Sequence, residues 1–115
     1  PQAAAYLSEQ LKIRAPKWRA LAALLSDKDA RDVVSNLITS VGEWHFAGLD
    51  VPRGRSGEVL AAEVSGLLTR ANAHKTVDDA LDVLLGESDL PLVIFGSFYT
   101  VAQAIRYFQL RKANG

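Results

Sequence analysis

The feature that most constrains the fold is a junction near the end of the chain. A four-residue apolar run, Leu92-Val93-Ile94-Phe95, meets Gly96-Ser97 and passes directly into a helical pattern, Phe98-Tyr99-Thr100-Val101-Ala102. The run has the length and character of a buried parallel strand, and Gly96 lets the backbone turn tightly into the helix. Ser97 sets a hydroxyl beside helix N–H groups that lack intrahelical partners. Thr100 and Gln103 also have capping-box spacing, so the helix begins either at Phe98, with Ser97 as its cap, or after Thr100, with Thr100 as its cap. In both registers several donors converge on one point, as at an anion site. The plainer alternative is an ordinary capped crossover.

The rest of the chain repeats the same alternation. Ala4, Leu7 and Leu11, with Ala3 and Tyr6 beside them, recur at helical spacing, and Pro16 stops the pattern, so a first helix ends near Arg14. Leu21 to Leu25 is a buried strand, followed by the polar turn Ser26-Asp27-Lys28-Asp29. Val33, Val34, Leu37, Ile38 and Val41 share one face of a second helix, and Gly42 stands where such a helix ends. Trp44 to Leu49 is the next strand and residues 50–54 a Pro- and Gly-bearing loop; Leu60, Val64, Leu67 and Leu68 mark a third helix. Thr76 and Asp79 form a capping box for a fourth helix carrying Val77, Leu81, Leu84 and Leu85. The last helix is expected to bury Val101, Ile105 and Phe108.

Strands alternating with helices argue for right-handed βαβ crossovers, with helices on both faces of the sheet. The expected fold is therefore a three-layer α/β domain with a mostly parallel sheet. Only three strands are clear, and the first helix has no strand before it. The chain is thus expected to be a fragment, residues 1–115 forming one domain whose first strand lies upstream of Pro1. The open sheet edge that this leaves is expected to favour self-association.

Composition narrows the function. Lys plus Arg and Asp plus Glu each number 13, dispersed without a basic run, so no net field draws nucleic acid or a membrane surface. No apolar run reaches the length of a membrane span, and a basic-then-apolar leader pattern is not seen at the N-terminus. The chain contains no cysteine, which excludes disulfides, thiolate catalysis and Cys-ligated metals. Small-molecule chemistry is the expectation.

Three polar clusters follow strands and should share the ligand-binding edge of the sheet. In Ser26-Asp27-Lys28-Asp29, Asp29 can cap a helix while Lys28 reaches a phosphate; the plain reading is a solvated cap. Arg53, between Pro52 and Gly54, offers a planar fork to a carboxylate or phosphate, although arginine is common in surface turns. His45, between Trp44 and Phe46, reads as a packing or sheet-surface residue, and His74, beside Lys75, as a solvated loop residue. Two such separated histidines support no metal triad, and neither G-x-x-x-x-G-K-[ST] nor G-x-G-x-x-G occurs. Gly96-Ser97-Phe98 is not G-x-S-x-G, and no histidine pairs with Ser97, so serine hydrolase chemistry is excluded.

The order S-D-K-D after one strand, P-R-G after the next and G-S-F-Y-T-V-A after the last resembles the C-terminal domain of bifunctional folylpolyglutamate synthase/dihydrofolate synthase, within the Mur ligase architecture. The resemblance covers nearly the whole chain. That family carries Asp-x-Ala-His-Asn-Pro on the strand before the first helix, and Pro1-Gln2-Ala3-Ala4 looks like the last proline and the helix start after it. The resemblance implies ATP-dependent amide formation, in which a carboxylate of dihydropteroate or a folate is phosphorylated and the amine of L-glutamate displaces the phosphate. It implies ATP and Mg2+ as cofactors, held mainly by a central domain absent here, and a cytoplasmic parent that is monomeric. By residue, Ser97 and Tyr99 would hold the incoming amino acid, with Arg53 a further substrate contact. Asp27 and Lys28 would face the nucleotide or acyl phosphate, Lys28 acting on the transferring charge. The isolated chain is expected to be inactive. Within the same architecture the peptidoglycan amino-acid ligases are the alternative, since Asp50-Val51-Pro52-Arg53 echoes their D-N-P-R, but they lack G-S-F-Y-T-V-A. A stand-alone, non-enzymatic anion-binding α/β module is the alternative from another class.

Overall fold

The computed structural model describes Ala4, Leu7, Gln10 and residues 17–86 and 90–114. Four strands, β1 (Trp18–Ala23), β2 (Val41–Ala47), β3 (Asn72–His74) and β4 (Leu92–Gly96), form one sheet in the order β3-β2-β1-β4. Every pairing is parallel, with Leu21 opposite His45 on one side and Ile94 on the other. The helices are α1 (Ala30–Leu37), α2 (Gly57–Glu63), α3 (Val77–Leu84) and α4 (Phe98–Asn114).

Because successive strand residues point to opposite faces, β1 serves two cores at once. Ala20, Ala22 and Leu24 join Trp44 and Phe46 under Val34 and Leu37 of α1 and Leu60 of α2. Leu21 and Ala23 join Ala47 under Val77, Leu81 and Leu84 of α3 and Ala104 of α4. This is the expected three-layer arrangement. Side-chain caps set three helix starts: Asp29 accepts from the Asp32 amide at 3.1 Å, Ser56 from Val59 at 3.1 Å and Thr76 from Asp79 at 3.0 Å. Each cap satisfies an amide that the first helical turn leaves unpaired.

Several boundaries differ from the sequence reading, each for a local reason. β1 starts at Trp18, ahead of Leu21, because the Arg19 guanidinium is satisfied within the fold by the carbonyls of Leu84 at 2.6 Å and Leu90 at 3.0 and 3.1 Å. It stops at Ala23 because Leu25 leaves the parallel ladder for an antiparallel bridge to Gly54. The second helix ends at Leu37 and not near Gly42. Ser40 closes a turn onto the Leu37 carbonyl, and Val41 and Gly42 already belong to β2, which ends at Ala47 short of Leu49. α2 is shorter than expected, ending at Glu63. Gly66 takes a φ of 89°, so Leu67 and Leu68 pack on the core from beyond the helix. β3 is a fourth strand that no apolar run announces.

The largest correction concerns the last strand and helix. Leu92–Phe95 is half-buried, not fully buried, because β4 is the edge strand of the sheet that the described residues form. Val101, Ile105 and Phe108 are 44%, 53% and 40% exposed. The stripe of α4 that meets the protein is Thr100, Ala104 and Tyr107, since an edge strand gives the helix little surface to cover. Ile38 and Leu85 likewise sit at the solvent margin of their helices. The expected end of the first helix near Arg14 lies outside the described residues, among which Ala4, Leu7 and Gln10 are helical. No helix of the described residues is long and apolar enough to cross a membrane.

Candidate functional site

The carboxyl end of the sheet is organised around two close backbone approaches. At Gly96 φ is 143°, and a Cβ there would lie 2.0 Å from the Ala23 carbonyl oxygen, so only glycine carries the chain from β4 into α4. Thr100, fully buried, donates from Oγ1 to that same carbonyl at 2.7 Å. Its proton being used there, Thr100 Oγ1 accepts from the Ser97 amide at 3.2 Å and from Ser97 Oγ at 3.1 Å. Ser97 Oγ in turn accepts from the Thr100 amide at 3.3 Å. Ser97 is therefore the cap and α4 starts at Phe98, which decides between the two registers. Thr100 is a buried strut between α4 and β1. The first-turn amides of Phe98 and Tyr99 point out of the helix end, and Tyr99 is half exposed.

The second approach joins the loop after β1 to the loop after β2. Ser26 donates its amide to the Arg53 carbonyl at 2.7 Å, and Leu25 bridges Gly54. A Cβ on Gly54 would meet the Leu49 carbonyl oxygen at 2.0 Å, so this packing also needs glycine. Asp27, Lys28 and Arg53 are all exposed on this two-loop unit. Beside it lies a cavity of about 270 Å³ lined by Leu24, Lys28, Val33, Leu37, Phe95 and Gly96, with Ala4 and Leu7 along another wall. Among the described residues Lys28 is the charged side chain that lines it. The structure thus brings Lys28 to the same cavity as Gly96, and ties the Arg53 loop to the Lys28 loop through the backbone.

Two features escaped the sequence reading. Arg55 donates from Nη2 to the carbonyls of Leu25 at 2.6 Å and Lys28 at 2.7 Å, and from Nη1 to the Glu63 carboxylate at 2.5 Å. The other is a histidine pair, which corrects the reading of His74 as a solvated loop residue. His74 ends β3, half-buried, its ring stacked on His45 with Nε2 at 2.8 Å from His45 Nδ1. His45 Nε2 lies 2.6 Å from the Glu43 carboxylate. Glu43, His45 and His74 thus form one polar chain that crosses β2 and β3. Among the described residues no group of three or more His, Asp or Glu side chains is placed to hold a metal ion.

An all-parallel α/β sheet with polar loops gathered beyond the carboxyl ends of its strands defines a class: domains that bind small molecules at that edge. Comparison with known proteins narrows the class. No family model matches the chain. Homologues named dihydrofolate synthase/folylpolyglutamate synthase cover it: that of Haemophilus influenzae is 36% identical over 112 residues, matching 90% of this chain and 25% of its own length. That of Escherichia coli is 29% identical over 119 residues, matching all of this chain and 27% of its own length. Among solved structures, the bifunctional folylpolyglutamate synthase/dihydrofolate synthase of Yersinia pestis with AMPPNP and a Mn ion superposes with a TM-score of 0.82 at 30% identity, over 95% of this chain and 26% of that one. The same type of enzyme with Mn, AMPPNP and L-glutamate bound gives 0.80 at 32% identity, over 95% and 27%. The chain spans about a quarter of the length of the curated relatives it matches.

Proposed function

We propose that the chain is the C-terminal domain of an ATP-dependent ligase that joins L-glutamate to dihydropteroate and to folates in the cytoplasm. The observation that carries this reading is the convergence of Lys28 and Gly96, the residue before the Ser97 cap, on one cavity at the carboxyl end of the sheet, in a chain similar to enzymes named for that reaction. ATP supplies the phosphoryl group that activates the acyl carboxylate, and magnesium, when bound, neutralises the developing phosphate charge. The residues in hand fit an anion: an exposed ammonium at the cavity and, beside it, the start of a seventeen-residue helix. In this reading the magnesium ligands and the phosphate loop belong to the rest of the enzyme.

In this reading Lys28 meets charge on the transferring phosphoryl group, with Asp27 beside it on the nucleotide side. The first turn of α4, with Ser97 and Tyr99, holds the carboxylate of the incoming glutamate, and Arg53 approaches the same substrates from the adjoining loop. The Ser97 hydroxyl proton is engaged by Thr100, so the turn holds an anion chiefly through backbone amides. Closure of the domain excludes water that would hydrolyse the acyl phosphate.

The test uses the full-length ligase. Lys28→Ala is expected to depress kcat with unchanged melting, whereas Ser97→Ala, which removes the cap that orients the first-turn amides, is expected to raise KM for glutamate more than for ATP. Normal turnover in the first variant, or unchanged glutamate kinetics in the second, returns that residue to a purely structural role.

A further inference from the structure

We infer that Arg55 is a positioning residue for Lys28, an inference that rests on the role just proposed for that lysine. The guanidinium meets three segments at once. Nη2 is shared between the carbonyls of Leu25, two residues past β1, and Lys28, while Nη1 holds the carboxylate of Glu63 in the last turn of α2. The Lys28 amide also returns to the Leu25 carbonyl at 3.1 Å, closing residues 25–28 into one turn. Both ends of that turn therefore hang on a single nitrogen of Arg55. Only arginine supplies such a planar fork; a lysine ammonium in its place is a single point that cannot reach all three acceptors in this geometry.

The burial of the pair separates this arrangement from an ordinary surface contact. The Arg55 side chain is 12% exposed, and its Nε is buried with no partner among the described residues. Glu63 offsets its charge, so Arg55 fixes the loop backbone without adding an uncompensated charge of its own beside Lys28. Arg31 provides the internal control: it too donates to two carbonyls, those of Glu63 and Ser65, both at 3.0 Å and neither within residues 25–28. Since a misplacement of about 1 Å can cost about a hundredfold in rate, an anchor on the Lys28 backbone is an anchor on the catalytic geometry.

The experiment has two arms. In the isolated chain, amide hydrogen exchange is expected to accelerate at Lys28 in Arg55→Ala, with β1 amides unchanged and with no such change in Arg31→Ala. Unaltered exchange at Lys28 overturns the inference. In the full-length ligase, Arg55→Ala is expected to lower kcat by roughly tenfold to a hundredfold with KM for glutamate held. In a Lys28→Ala background it should cause no further loss, because the lysine it positions is gone. An equal loss in both backgrounds overturns the inference. Should Arg55→Ala fail to fold, Glu63→Gln is read in the same two arms, with smaller effects of the same pattern. Normal turnover in Lys28→Ala alone defeats the role proposed for Lys28, and the exchange arm then still decides whether Arg55 fixes the loop.

Discussion

β1 and β4 lie side by side with Leu21 opposite Ile94, and both read as short apolar strands, yet their surroundings differ. Ala20, Leu21, Ala22 and Ala23 are essentially inaccessible, whereas Leu92 to Phe95 are each half-buried and the helix that follows shows Phe98, Val101, Ile105 and Leu110 to solvent. The difference is one of neighbours. β1 has a hydrogen-bonded strand on each side and lies between the two cores, while β4, packed against both cores from the edge, pairs among the described residues with β1 on one side. An apolar run thus specifies a strand suited to burial, but how deeply it is buried depends on what lies beside it. A strand edge and a helix stripe of this apolarity form the kind of surface that recruits another chain.

Cavity formation at the two strands should separate them most. Leu21→Ala is expected to cost about 3 kcal/mol or more, and Ile94→Ala less than half of that, because the cost of truncation rises with the void left in a closed core. Equal losses in urea unfolding would break the comparison. Between the strands stands Thr100, whose hydroxyl bonds the Ala23 carbonyl. Thr100→Val keeps the shape and leaves that buried carbonyl short of a donor, an expected loss of about 1–2 kcal/mol, with a cost near zero showing the strut to be dispensable. On the open side, Ile105→Glu is expected to change stability by no more than about 0.5 kcal/mol while reducing self-association seen by sedimentation. A wild-type chain that stays strictly monomeric at high concentration would contradict the idea that this surface recruits a partner.

What could be read from sequence was what is local. The Thr76–Asp79 cap, the Asp29 cap and the tight Gly96–Ser97 turn each depend on residues within a few positions of one another, and each is present. β3 was illegible because Asn72-Ala73-His74 has no apolar run; it is held from outside, by the β2 ladder and by Asn72 Nδ2 donating to the Trp44 carbonyl at 2.9 Å. The same reason hid the His45–His74 contact, which needs the β2–β3 register. The link from Arg55 to the Lys28 loop was invisible because its two acceptors there are main-chain carbonyls 27 and 30 residues away, and a carbonyl leaves no trace in side-chain identity. The exposed stripe of α4 was misread for a related cause: helical periodicity finds an apolar face and does not say whether anything covers it.

The measurement that tests the central claim most directly is ADP release by two purified preparations, the full-length protein that contains this sequence and the chain of residues 1–115 alone. Both are assayed with ATP, magnesium and dihydropteroate, with and without L-glutamate. The expected result is sustained turnover only in the full-length protein and only with glutamate present, with the chain alone silent under every condition. Sustained, folate-dependent ADP release by the isolated chain, or a full-length protein indifferent to glutamate, would contradict the assignment.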